Sequence, residues 1–305
     1  MTADPEAGGA VSGAREIRLA IGAVTTAIVS VDPQLSLAVP AAVSRFVVGD
    51  RPSDIRVEAA WTRTSEPPAV SGPLLFDSGG LWQLREAGPR LVWTFTSKTF
   101  GTAPYKTAMF DRDFSAGSVL LHAPYFDRRL AIYPLEYPLD ELILTNWLAL
   151  GRGIEIHGCA VRDADGAGYL FAGHSGAGKS TIAGLWHRQP GVTVLSDDRV
   201  ILRKLDDEIW MHGTPWHGDE PLGFPVATRL TEGFFLQHAS RNGRAGVSRP
   251  QAVASLFARS FPPFYSAAGL DFSLAFLSEV SARAPFSELG VVPDGAIVDF
   301  VRGTR

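Results

Sequence analysis

The chain is poor in cysteine, in lysine and in long apolar runs, and each shortage excludes a class of protein. Cys159 is the one cysteine among 305 residues, which excludes a disulfide framework and a cysteine-based zinc site. Lysine occurs at four positions and the net charge is −4, which argues against broad nucleic-acid binding. No stretch reaches the roughly 18–20 consecutive apolar residues of a membrane span. We therefore predict a cytoplasmic protein without a membrane span or a nucleic-acid partner.

The length and the 46% hydrophobic content allow two domains with large cores. Residues 1–16 are small and acidic, which predicts a disordered tail rather than a secretory signal. From Ile17 to Arg129, short β-branched and aromatic runs alternate with Gly, Pro and Asp turns, a pattern typical of β structure. We predict a mostly β domain over 17–135 and a second domain over 136–305.

The second half of the chain has the pattern of an α/β domain. Asp140 can cap a helix that ends before Gly151. A strand, a loop, a helix and a strand then follow within about 30 residues, which is a βαβ unit. The predicted strands are 154–161, 169–172, 192–195 and 200–202; the predicted helices are 141–150, 179–187, 248–261 and 270–281; and a hairpin is predicted over 286–301.

One segment matches the phosphate-loop pattern G-x-x-x-x-G-K-[ST] at every fixed position. Its glycines allow successive amides to turn towards phosphate oxygens, and the helix that follows presents its positive end to the same anion. Lys179 is expected to reach the β and γ phosphates, and the Ser180 hydroxyl is an expected Mg²⁺ ligand. The predicted nucleotide contacts are Gly173, His174, Ser175, Gly176, Ala177, Gly178, Lys179, Ser180 and Thr181.

Two further features can complete such a site. Asp197 and Asp198 directly follow an apolar strand, where phosphate-loop proteins hold the metal and a base. An Asp-Asp pair can also be a solvated turn or a helix cap. His157 lies within an apolar strand, where a histidine is more often a hydrogen-bonded core residue than a catalyst.

Missing motifs narrow the class further. The chain has no Asn-Lys-x-Asp motif of guanine-specific GTPases and no Leu-Ser-Gly-Gly-Gln motif of ABC transporters. The strand-end pair is Asp-Asp rather than Asp-Glu, which disfavours a mechanical ATPase. The segment 213–220 is either a rigid turn around a buried tryptophan or a substrate loop with Thr214, His217 and Glu220 as contacts.

The order of three segments resembles the catalytic domain of the HPr kinase/phosphorylase family. These are His157-Gly158, the loop 173–180 and the run 196–200 with its aspartate pair. The resemblance implies an α/β (α+β) fold with a nucleotide-binding domain like that of phosphoenolpyruvate carboxykinases and with C-terminal helices. A homo-oligomer is compatible with it. Thr181 replaces the family's usual glutamate, and its downstream Glu-x-Arg-Gly segment is absent, which indicates a divergent, HPr kinase-like protein with another acceptor.

The resemblance also implies roles for individual residues. Asp197 corresponds to the base toward a serine hydroxyl, Asp198 and Ser180 to the Mg²⁺ ligands, and His157 to a histidine near the phosphates. With Lys179, these residues predict a kinase that uses ATP and Mg²⁺ to phosphorylate a hydroxyl of a protein, peptide or small molecule. The alternatives are a non-catalytic nucleotide-binding sensor or scaffold and, less favoured, a carboxykinase.

Overall fold

The computed structural model describes residues 12–62, 70–218 and 222–303. The chain forms two compact units, one with residues 12–20 and 24–143 and one with residues 21–23 and 144–303. Of the predicted disordered tail, residues 1–11 lie outside the described residues, whereas Ser12–Ala14 form a strand that pairs with Leu37–Ala38.

The first unit consists mainly of strands. Its strands are β1 (Ser12–Ala14), β2 (Glu16–Ile21), β3 (Val24–Ser30), β4 (Leu37–Ala38), β5 (Val47–Val48), β6 (Ile55–Thr62), β7 (Leu74–Asp77), β8 (Trp82–Ala87), β9 (Arg90–Ser97), β10 (Gly101–Asp111) and β11 (Ala116–His122), with the short helix α1 (Ala41–Ser44) and a 3₁₀ turn (Ala123–Tyr125). Nine of them form a sheet in the order β5-β2-β3-β6-β11-β10-β9-β8-β7. The central pairs β3–β6 and β6–β11 are parallel.

Alternation along β6 shows why this sheet has a buried side. Ile55, Val57 and Ala59 are fully buried, whereas Arg56 and Glu58 between them are exposed. Successive side chains of a strand point to opposite faces, so this pattern covers one face and leaves the other to solvent.

The second unit combines strands and helices. The first of its helices is α2 (Leu139–Leu148), which begins just before the unit's boundary. The others are α3 (Lys179–His187), α4 (Arg249–Phe257), α5 (Ala267–Arg283) and α6 (Ala296–Gly303), and the strands are β12 (Ile154–Arg162), β13 (Gly168–Ala172), β14 (Thr193–Ser196), β15 (Arg199–Leu205), β16 (Glu208–Gly213), β17 (Ala227–Arg229), β18 (Glu232–His238), β19 (Gly243–Gly246) and β20 (Phe286–Val291).

Eight of these strands follow the order β17-β16-β15-β12-β13-β18-β20-β19, and β14 pairs with β12 beside β15. Both β13 and β14 run antiparallel to β12 on its two sides, so they run in the same direction. Helix α3 connects them and passes over β12, which gives the predicted strand–helix–strand crossover.

Helices cover both faces of the second sheet, because its central strands are apolar on both sides. Leu170 of β13 is buried in a cluster with Leu256 of α4. The next residue, Phe171, points to the other face and joins Trp186 of α3 and Val298 of α6, with the Phe171 and Trp186 ring centroids 6.0 Å apart. The apolar strand β13, which leads into the glycine-rich loop, is therefore packed on both sides, and this packing fixes the start of the loop.

The mixed α/β class, the strand-rich N-terminal part and the helices towards the C-terminus are as predicted. The hairpin predicted at the end of the chain is wrong, since β20 is followed by helix α6. Asp294, which looked like part of a hairpin turn, accepts the N–H of Ala296 at 3.0 Å at the start of this helix. Ile297 and Val301 then recur at helical spacing and are both buried.

Among the described residues, no helix is both long enough and apolar enough to cross a membrane.

Candidate functional site

The glycine-rich loop connects the end of β13 to the first residue of α3. Gly176 and Gly178 adopt φ values of +78° and +93°, a region that other residues rarely enter. Lys179 begins the helix and donates from Nζ to the carbonyl oxygens of Gly173 and His174, at 3.1 Å in both cases. The loop thus curls around the ammonium group at the positive end of α3, an arrangement suited to an anion.

The remaining loop residues differ in exposure. His174, Ser175 and Thr181 are exposed, whereas Ala177 is half-buried and its N–H donates to the carbonyl of His174 at 3.0 Å. Burial lowers the pKa of Lys179, an effect that the negative charge of Asp198 opposes. Lys179 is thus a shielded cation whose present partners are two loop carbonyls.

The crossover brings the first aspartate of the pair to the loop. Ser180 lies in the first turn of α3, and its Oγ is 3.5 Å from Oδ2 of Asp197, which directly follows β14. The Asp197 side chain has no solvent exposure, and its Oδ1 accepts the backbone N–H of Gly218 at 2.9 Å. The resemblance paired Ser180 with Asp198 at the metal, but the carboxylate found beside Ser180 is that of Asp197.

Gly218 packs closely against these groups. A Cβ on this residue would lie 3.1 Å from Oδ2 of Asp197, 3.5 Å from Cβ of Asp198 and 3.6 Å from Oγ of Ser180. The absence of a side chain therefore allows the Gly218 backbone to approach the carboxylate and the hydroxyl closely. Oxygen atoms of this kind are the ligands that Mg²⁺ prefers.

The second aspartate faces a different partner. Asp198 Oδ1 lies 2.9 Å from Nε2 of His157 on β12, and Oδ2 forms an ion pair with Arg199. Burial alone would raise the pKa of Asp198, but the hydrogen bond with His157 and the charge of Arg199 outweigh it, so the pKa lies below its usual value. Asp198 is thus an ionised carboxylate with both oxygens held, and 23% of its side chain is exposed.

The three residues that the sequence singled out in segment 213–220 differ in their positions. Thr214 is buried, and its hydroxyl donates to the carbonyl of Arg199 at 2.7 Å, which is a structural contact. His217 is exposed, with Nδ1 3.0 Å from the carbonyl oxygen of Gly218. The candidate Glu220 lies outside the described residues.

The structure adds four residues that sequence reasoning did not select: Gly218, His238, Arg199 and Glu155. His238 ends β18 and has Nε2 2.9 Å from the carbonyl oxygen of Gly176 in the loop. Glu155 and Arg199 form a buried ion pair next to Asp198. The sequence contained one clue to each of two of these residues. Arg199 directly follows the aspartate pair, and Glu155 lies two residues before His157, which places both side chains on the same side of a strand. For His238 the sequence offers none, because 62 residues separate it from Gly176.

The described residues offer few ligands for a metal ion. Within 12–62, 70–218 and 222–303, no group of three or more His, Cys, Asp or Glu side chains is arranged to hold a metal ion. Mg²⁺ at phosphate-transfer sites commonly has one or two protein ligands, with waters and substrate phosphates completing its shell. Ser180 Oγ and Asp197 Oδ2, 3.5 Å apart, are oxygen donors of the type that such an ion takes.

The fold and this geometry define a mixed α/β protein whose candidate site combines a glycine-rich loop, a lysine, an acidic pair and a histidine. No protein-family model and no curated protein matches the chain. Among solved structures, it is similar to one described as the HPr(Ser) kinase/phosphatase from Coxiella burnetii. The alignment covers 50% of this chain and 95% of that chain, with 11% identity and a TM-score of 0.30. At this TM-score the likeness carries no argument about activity.

Proposed function

We propose that the protein is an ATP- and Mg²⁺-dependent phosphotransferase of the HPr kinase-like type, which transfers the γ-phosphoryl group to a hydroxyl of a protein, peptide or small molecule. One observation carries the proposal: the loop with Lys179 and Ser180 lies within hydrogen-bonding distance of the aspartate that follows β14, and the next aspartate pairs with His157. Phosphoryl transfer needs mainly positioning and charge stabilisation, which these groups can supply.

The loop is the phosphate-binding part of the proposed site. Its amides and the first turn of α3 bind phosphate oxygens, and Lys179 exchanges its two carbonyl partners for the β and γ phosphates. The shielding of Lys179 strengthens its attraction to a phosphate, because little water competes with it.

The distances favour an exchange of the two aspartate roles that the resemblance implies. Ser180 and Asp197 would hold Mg²⁺, because the Ser180 hydroxyl oxygen and Asp197 Oδ2 lie 3.5 Å apart beside the loop. A bound Mg²⁺ supplies charge neutralisation on the transferring phosphoryl group. Asp198 is then the base, since it is the partly exposed carboxylate and His157 orients it.

The reaction follows from these roles. The acceptor hydroxyl oxygen forms a bond to the γ-phosphorus, and the bond from that phosphorus to the β,γ-bridging oxygen breaks. ADP leaves with the electron pair of the broken bond, and the hydroxyl proton passes to the carboxylate of Asp198 and then to water.

A labelling experiment tests the function. Purified protein is incubated with γ-labelled ATP, Mg²⁺ and an extract of the source cells, beside Lys179→Ala and the matched surface variant Lys98→Ala. We expect label on one acceptor with the wild type and with Lys98→Ala, and none with Lys179→Ala. If the label stays in ATP with the wild type while ATP raises its melting temperature, the protein binds nucleotide without transfer and the sensor alternative replaces the kinase.

The same assay separates the two aspartates. Asp198→Asn should reduce transfer by about 1,000-fold, a loss typical of a general base, and leave Mg²⁺-dependent ATP binding intact. Asp197→Asn should remove the effect of Mg²⁺ on ATP binding. The exchange of roles is refuted if Asp198→Asn, and not Asp197→Asn, loses the Mg²⁺ effect on binding.

A further inference from the structure

A buried ion pair lies behind the candidate base. Glu155 of β12 has no exposed side-chain surface, and its Oε1 lies 3.3 Å from Nε of Arg199, the first residue of β15. Burying a carboxylate and a guanidinium is costly unless they compensate each other. A pair with that cost requires an explanation in function or in folding.

The guanidinium of Arg199 is held from three directions. It contacts Glu155 with Nε, forms an ion pair with Asp198 through a terminal nitrogen, and stacks 4.4 Å from the ring centroid of Phe261. The N–H of Phe261 in turn donates to the carbonyl of Glu155 at 3.1 Å. The planar fork of an arginine can satisfy two carboxylates at once, which the single ammonium group of a lysine does less well.

This arrangement fixes the orientation of Asp198. Its Oδ1 is held by His157 at 2.9 Å and its Oδ2 by Arg199, so rotation of the carboxylate would break a contact. The register of the sheet supports it, because His157 of β12 lies directly opposite Arg199 of β15.

We propose that Glu155 and Arg199 are positioning residues, in which Glu155 fixes the Arg199 guanidinium and Arg199 fixes the Asp198 carboxylate towards the acceptor hydroxyl. The kinetic effect of this pair rests on the proposed function, whereas its effect on the Asp198–His157 hydrogen bond does not. The contacts of this pair are with the candidate base, whereas Arg199 influences Lys179 of the loop through its charge. Loss of the pair should therefore affect transfer more than nucleotide affinity.

The double variant Glu155→Gln/Arg199→Gln is the central test, because Arg199→Gln alone leaves a buried carboxylate without its counter-charge and can fail to fold. The double variant removes both charges; Glu155→Gln keeps the side-chain volume, and Arg199→Gln shortens the side chain. Arg152→Gln is the matched control, since Arg152 also stacks on an aromatic ring, 4.2 Å from Trp147. We expect the double variant to keep the wild-type melting temperature and ATP affinity but to transfer about 100-fold more slowly, the scale of a small misplacement of a reacting group. The control should match the wild type.

A second readout does not depend on activity. In ¹⁵N-histidine-labelled protein at one fixed pH, the Nε2 signal of His157, assigned with His157→Gln, reports its hydrogen bond to Asp198. We expect this signal to change in the double variant and to persist in Arg152→Gln.

The two readouts separate the two proposals. If the wild type transfers no phosphoryl group, the proposed function fails, and the His157 signal alone decides the positioning role. An unchanged His157 signal in a folded double variant overturns the inference, and so does transfer at the wild-type rate in an active protein.

Discussion

Two neighbouring aspartates meet different surroundings in this structure. Asp197 is fully buried between Ser180 and the amide of Gly218, whereas Asp198 is partly exposed and bound by His157. The two residues form the bend between the end of β14 at Ser196 and the start of β15 at Arg199, and the bend directs the two carboxylates to different partners. This is the physical reason why such a pair can divide a metal role from a proton-accepting role.

His238 is the residue whose effect on the loop we predict most directly. Its Nε2 lies 2.9 Å from the carbonyl oxygen of Gly176, so this nitrogen carries the proton and donates. His238→Ala should weaken ATP binding by about three- to tenfold, the net value of one such hydrogen bond. Isothermal titration calorimetry with ATP and Mg²⁺ measures it.

Two variants control this prediction. His238→Gln retains a side-chain N–H and should recover part of the lost affinity, and His187→Ala removes another exposed histidine, at the end of α3, without a loss. Because His238 is exposed, the unfolding free energy should change by less than about 1 kcal/mol. Equal affinities for the wild type and His238→Ala would show that the contact does not hold the loop.

Among single residues, the sequence predicted the site residues that lie close together in the chain, and it did not predict those that are distant from them. The loop, the aspartate pair and His157 could be found because a short motif and a strand end mark them. The orientation of each aspartate could not, because it depends on Gly218 from a separate segment. The role of Glu155 could not be predicted for another reason. A charged residue in an apolar strand can be interpreted only once its partner, here Arg199, is known.

Among the elements, helix α3 and the flanking strands follow the apolar pattern closely. The predicted helix 179–187 has the observed bounds, because a left-handed glycine precedes it. The C-terminal hairpin failed because Asp-Gly is both a hairpin turn and a helix start, and only burial of Ile297 and Val301 on one side decides between them. The order of strands in the sheet depends on long-range pairing and has no local signal.

An ion pair between Arg302 and Asp163 connects helix α6 to the end of β12. It could not be expected from the predicted hairpin. Arg302 donates to both carboxylate oxygens of Asp163, at 3.0 and 2.7 Å, and the Asp163 side chain is only 4% exposed. Asp163→Asn should lower the unfolding free energy by about 1–3 kcal/mol, since a charge-assisted pair is lost and a cation keeps a poorer partner. Urea unfolding measures the change.

The exposed aspartate of α5, Asp271, supplies the control for this variant, and Asp271→Asn should lie within about 0.5 kcal/mol of the wild type. The hydrogen bond from Arg302 lowers the pKa of Asp163 below 3.8, its ordinary value. The stabilisation is therefore fully present above that pH and is lost as the pH falls below it. If the Asp163→Asn protein is as stable as the wild type at pH 7, the Arg302–Asp163 ion pair does not stabilise α6.

On the scale of the molecule, the composition predicted a strand-rich first part and an α/β second part, and both are present. The parallel pairs β3–β6 and β6–β11 within a mostly antiparallel first sheet were not predictable, because each joins segments that are distant in the chain. The two faces of the second sheet were partly predictable. A strand that is apolar at every position needs cover on both sides, and four helices supply it.

We expect one buried histidine, His212, to contribute to the pH dependence of the unfolding free energy. His212 of β16 is 6% exposed, and burial, together with the charge of Arg203, lowers its pKa from 6.5 to about 4. Between these values the unfolded chain binds more protons than the folded one, so stability rises with pH. The group's contribution is complete above pH 6.5 and is lost as the pH falls towards 4.

From this shift we expect His212 to account for about 2 kcal/mol of the stability lost between pH 7 and pH 5. Urea unfolding of the wild type and of His212→Gln at both pH values measures the difference, with His187→Gln as the exposed control. The glutamine variant should lose less stability on acidification, because it has no group to protonate, whereas the control should follow the wild type. Equal acid sensitivity of His212→Gln and the wild type would mean that His212 is not the neutral, buried group described, and that the acid-labile charges lie elsewhere in the fold.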